Sequence, residues 1–165
     1  MKKLIPFTFL IILNMNIMAQ NIRPAGAVLT DETCELLCNA AQEKSRAMGL
    51  DISFAIADAD GLPRLFRRFG DALVLSATLV PAKAYTAAVT RTPTHELAPL
   101  VADGGDLMGM NTCDPRLTMV PGGLPLLVGG SVVGAIGVGG GTREQDMEIV
   151  RFVQAKFHSL TEQAH

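Results

Sequence analysis

Tryptophan is absent from this 165-residue chain and tyrosine occurs once, so it must pack and bind with few aromatic anchors. Its 48% hydrophobic content comes largely as alanine and valine beside 16 glycines, a composition that lets backbones approach closely. Charge of one dominant sign is also missing. Fourteen basic and 16 acidic residues leave a net charge of -2, and no lysine or arginine cluster exists to follow a phosphate backbone, which argues against nucleic acid as a partner. No apolar run reaches the ~20 residues that a membrane span requires. The phosphate-cradling patterns G-x-x-x-x-G-K-S/T and G-x-G-x-x-G do not occur, nor does the G-x-S-x-G nucleophile elbow. With only 3 cysteines a complete set of internal pairs is impossible. Cys34 and Cys38 share one helix face without the spacing of a zinc site, so small buried thiols are expected there, with Cys113 in a loop.

What is present reads as one domain with a leader. Lys2 and Lys3 precede an apolar run from Leu4 to Leu13, and Ala19 would close a secretory signal. Residues 1–19 are therefore expected to be a signal peptide, 20–165 the domain, and the location periplasmic or secreted. Pro6, Asn14, Asn16 and Ile17 fit that pattern poorly, which keeps open a cytoplasmic protein starting at Met18.

Thr30 followed by Asp31 and Glu32 starts a helix, which Gly49 ends. Ile52, Phe54 and Ile56 alternate with Ser53, Ala55 and Ala57, giving a strand with one bulky face and one small face that a helix can approach. Asp58 to Gly61 turns the chain into a returning strand over Leu62 to Phe69, and the aspartates there are expected to satisfy local N–H groups. Ala72 to Thr90 reads as a helix kinked or restarted at Pro81. Pro93 to Pro121 reads as irregular. Leu124 to Val128 and Ser131 to Val138 form a hairpin about Gly129-Gly130, with Gly134 and Gly137 leaving gaps for a helix or a ligand ring. Thr142 and Gln145 make a capping box, and Met147, Val150, Val153, Phe157 and Leu160 are the core stripe of a last helix.

The glycines Gly139, Gly140 and Gly141 with Thr142 bring backbone N–H groups to a helix N-terminus, which suits a carboxylate. Of the three histidines, His158 falls on the last helix and His165 is terminal, so His95 is the one imidazole in the irregular region. Lys83, Tyr85, His95 and Glu96 together supply an ammonium, a phenol, an imidazole and a carboxylate, the ingredients of acid–base chemistry.

The segments A-I-A-D-A-D-G, K-A-Y-T-A-A, P-T-H-E-L, P-G-G-L-P-L and G-A-I-G-V-G-G-G-T-R-E-Q-D occur in an order and spacing that resembles the GlcG/HbpS family, which includes the C-terminal domain of PduO. The likeness runs from about Leu29 to Phe157 and implies an α/β (α+β), profilin-like fold with a central antiparallel sheet of about five strands flanked by helices. It also implies homo-oligomers and, in several members, haem. On that footing His95 is the candidate iron ligand, and Lys83, Tyr85, Gly139, Gly140, Gly141 and Thr142 are candidates for the rest of the haem site. G-V-G-G-G replaces the more usual G-V-S-G-G, and Pro81 interrupts the helix that carries Lys83. The cobalamin adenosyltransferase label attached to PduO-like names belongs to a separate helical domain. Two other readings stay open: a small enzyme acting on an oxygenated metabolite through Lys83 and His95, and an accessory or chaperone module for an enzyme of glycol or glycerol metabolism.

Overall fold

The computed structural model describes residues 28–162. The leader reading over 1–19 and the terminal His165 lie outside them. The described residues form, in order, helix α1 (Asp31–Ala47), strands β1 (Ser53–Asp58) and β2 (Pro63–Arg68), helices α2 (Ser76–Thr90) and α3 (Thr94–Val101), a 3-10 turn (Met110–Thr112), strands β3 (Gly123–Val128) and β4 (Ser131–Gly139), and helix α4 (Arg143–Glu162).

The expected antiparallel sheet flanked by helices is present, with four strands among the described residues in the order β2-β1-β4-β3. Each hairpin is local, and the two are joined by β1 against β4, from Ser53 opposite Gly139 to Asp58 opposite Gly134. Pro125 lies on the edge strand β3, where its missing N–H breaks no ladder bond. At the β3–β4 turn Gly129 and Gly130 take φ of 58° and 79°, the positive values that a two-residue hairpin demands.

The two sheet faces differ as the alternation in β1 implies. Phe54 and Ile56 enter a large core with Leu37 and Cys38 of α1 and Ile149, Val153 and Phe157 of α4. Ala55 and Ala57 enter a smaller one with Val80, Ala84, Ala87 and Ala88 of α2 and Ala135 of β4. The gap at Gly137 is filled by α2: a Cβ there would lie 2.5 Å from the Val80 carbonyl oxygen and 2.9 Å from the Ala84 nitrogen. A ligand ring therefore has no room at Gly137.

The caps follow the sequence. Thr30 Oγ1 accepts from the Thr33 N–H at 3.2 Å, and Thr142 and Gln145 exchange reciprocal bonds of 2.8 and 3.3 Å at the start of α4. Asp58 accepts from the N–H groups of Asp60 and Leu62, so its carboxylate serves the turn. Two expectations need correction. α2 begins at Ser76 rather than Ala72 and does not restart at Pro81, its sixth residue, whose missing N–H leaves the Ala77 carbonyl without its helical partner. The stretch read as irregular contains α3, whose Pro99 is likewise accommodated inside the helix. No described helix is long and apolar enough to cross a membrane.

Candidate functional site

Lys83 lies on the α2 face that packs on the sheet, in the stripe of Val80, Ala84 and Ala87, so its side chain is carried into the interior and is 1% exposed. Its Nζ donates to the Val138 carbonyl at 2.7 Å and to Asp146 Oδ2 at 2.8 Å. Asp146, in the first turn of α4, also accepts from the Gly141 N–H through Oδ1 at 3.0 Å. Burial pushes the Asp146 carboxyl above its ordinary value, opposed by the Lys83 ammonium and the Gly141 N–H. The residue expected to meet a ligand from the surface is thus one half of a buried ion pair.

The glycine turn beside it is also committed. The Gly141 N–H serves Asp146 and the Thr142 N–H serves Gln145 Oε1, so two of the amides expected to receive an external carboxylate are taken by the chain's own side chains. Above the pair is a cleft of about 180 Å³. Its walls are Leu73, Leu75, Leu79, Val120 and Pro121, its base includes Lys83, Asp146 and Gly139 to Gly141, and Arg143 stands exposed at its side. Leu73 and Leu75 are 67% and 69% exposed, with Val74 between them at 77%.

Tyr85, two residues after Lys83, points elsewhere. Its hydroxyl donates to Asp114 Oδ2 at 2.7 Å, and the Arg116 guanidinium lies 4.0 Å from its ring centroid while gripping the same carboxylate at 2.7 Å. Arg116 holds the Asp114 carboxyl well below the usual range, and the hydrogen bond to Asp114 pushes the Tyr85 phenol up. The cluster fastens the long loop before β3 onto α2.

His95 is in the first turn of α3. Its Nδ1 is buried without a hydrogen-bond partner, and its Nε2 lies 3.9 Å from Glu96 Oε1 on a side chain 23% exposed. An incoming group can reach this imidazole through Nε2 only. A neutral ring that gives its Nε2 lone pair away must carry its proton on Nδ1, where no acceptor stands. His158 instead lines a second cleft, with Leu127 and Val128.

The candidate residues are therefore distributed over three separate groups: Lys83 with Asp146 and the glycine turn, Tyr85 with Asp114 and Arg116, and His95 with Glu96. Asp146, Asp114 and Arg116 were not singled out from the sequence. The signal for Asp146 was available, since a lysine in a buried alanine stripe requires a carboxylate, and Asp146 directly precedes Met147 in the core stripe of α4. Nothing local announced that Asp114, held by Arg116 two residues on, would also reach Tyr85, 29 residues away. No group of three or more His, Cys, Asp or Glu side chains capable of holding a metal ion occurs among the described residues.

Comparison with known proteins gives these arrangements a context. Residues 29–154 match the family model described as haem degrading protein HbpS-like. The chain is 36% identical to the protein of the dhaT–dhaS intergenic region of Citrobacter freundii, over 73% of this chain and 85% of the other. It is 34% identical to the corrinoid adenosyltransferase PduO of Salmonella typhimurium over 77% of this chain, but spans only 38% of that longer protein. Among solved structures it is similar to the PduOC–haem complex, at 34% identity and a TM-score of 0.74, covering 77% of this chain and 93% of that one.

Proposed function

The chain belongs to the HbpS-like family, and from that premise we propose that it binds haem as a homo-oligomer. The observation that carries this reading is the similarity to PduOC, a domain solved with haem, over nearly its full length. His95 fits the role of iron donor through Nε2, because that nitrogen is the one facing outward. Nδ1 is buried without a partner whichever nitrogen carries the proton, so an iron bond at Nε2 leaves no polar group unmet that was met before. Two of the three Lys83 N–H donors and the Gly141 and Thr142 amides are already engaged within the chain, which leaves one ammonium N–H there for a propionate. Arg91, exposed at the turn into α3, is the cation nearest His95 in sequence.

The enzyme reading asks Lys83, Tyr85 and His95 to act together, and no contact joins them. Export through residues 1–19 and a link to glycol or glycerol metabolism remain part of the proposal. The test is haem reconstitution of the expressed chain, with an absorption spectrum and light scattering on the same sample. A Soret band with low-spin features is expected in wild type, and His95→Ala should abolish or redshift the low-spin features while leaving the fold intact. A wild-type spectrum and affinity in that variant would remove His95 as ligand, and a micromolar monomer would remove the oligomer.

A further inference from the structure

We propose that the cleft over Lys83 and Asp146 is a binding site for a small carboxylate on a short apolar chain. An ammonium carries three N–H donors, and two of those on Lys83 are met by Val138 and Asp146. The third has no acceptor among the described residues. Asp146 and Gly139, which surround Nζ, also line the cleft, so the end of Lys83 is the part that faces it. Gly139, on the cleft lining, has no side chain to cover that end, since a Cβ there would stand 3.3 Å from Nζ.

The charges select the sign of the ligand. Asp146 is cancelled by Lys83 and has both oxygens engaged, whereas Arg143 has no ion-pair partner among the described residues, so the cleft carries one uncompensated positive charge. The walls select its body, since five of the lining residues are aliphatic or proline. Its size favours a short chain, since about 180 Å³ is well below the roughly 300–1,000 Å³ of a pocket for a drug-sized ligand. A free short-chain acid has this chemistry, and so does the propionate arm of a tetrapyrrole.

The experiment is a titration of the expressed chain, isotope-labelled, with sodium butyrate and with its neutral isostere butyramide, followed by amide NMR. Butyrate is expected to saturate in the low-millimolar range and to shift the amides of Leu75 to Leu79 and Gly139 to Arg143. Butyramide should bind about tenfold more weakly, and Arg143→Gln should weaken butyrate about threefold. Repeating the titration on the haem-loaded protein separates the two sources: an unchanged butyrate affinity assigns the cleft to a free acid, and its loss assigns it to a propionate arm. No saturation, shifts confined to other regions, or equal binding of the two probes would overturn the proposal. Because the butyrate titration needs no haem, its failure leaves the haem reading untouched, and the reverse also holds.

Discussion

Lys83 and Asp146 illustrate how one contact can be indispensable without adding much net stability. Each charge is tolerable in the interior only because of the other, so removing one strands its partner. Asp146→Ala is expected to destabilise the protein by about 3–5 kcal/mol in urea denaturation. Lys83→Met combined with Asp146→Leu should restore most of that loss, because no unpaired charge remains. A double variant as unstable as the single one would show that the pair's value lies in its bonds to Val138 and Gly141 instead. Tyr85 offers a second test, made clean by being the sole tyrosine. Its hydrogen bond to Asp114 keeps the phenol protonated above the free-tyrosine value of about 10. A near-ultraviolet phenolate titration should therefore show a raised midpoint in wild type and an ordinary one in Asp114→Ala. The sign for stability follows: the native phenol holds its proton where the unfolded chain has lost it, so the contribution is complete below the unfolded value and lost as pH rises through the folded one.

At the scale of elements, the most exacting contact is α2 on β4. Gly137 has no special backbone angle to excuse it; it is glycine because the α2 backbone occupies the place of a side chain. Gly137→Ala is expected to cost about 1–3 kcal/mol by overpacking, measured by thermal or chemical unfolding. The same contact marks how far sequence reading reached. The small face of β1, the glycine gap in β4 and the alanine-rich α2 each announced close packing, and the structure joins them into one interface. Caps and hairpin turns were legible because their chemistry is local. α3 was not, because Pro93 and Pro99 read as punctuation, whereas Pro93 is the N-cap, where no intrahelical N–H is needed, and Pro99 in the second turn forgoes a single bond, to the His95 carbonyl. The candidate site was the least legible part. Lys83, Tyr85 and His95 are close in sequence, but helical geometry sends the first two to different neighbours, and their partners Asp146 and Asp114 come from segments 63 and 29 residues away.

For the whole molecule, the feature with the widest reach is the antiparallel seam between β1 and β4. Among the described residues, the elements before the exposed loop around Gly109 are one hairpin with α1 to α3, and the strands and long helix after it are the other hairpin with α4. The seam and the two cores that straddle it are the main connections between these halves, and none of them depends on the loop being covalently continuous. The domain is thus a natural candidate for fragment complementation. A break after Gly109 should give two pieces that co-purify when expressed together and recover the native spectrum, while each alone, with one side of the seam bare, is expected to aggregate. Failure to associate would mean that the covalent continuity of the loop is needed to bring the halves into register. If the halves do associate, the chain could be divided between two fusion partners and used as a proximity reporter, its reunion read out by the seam itself.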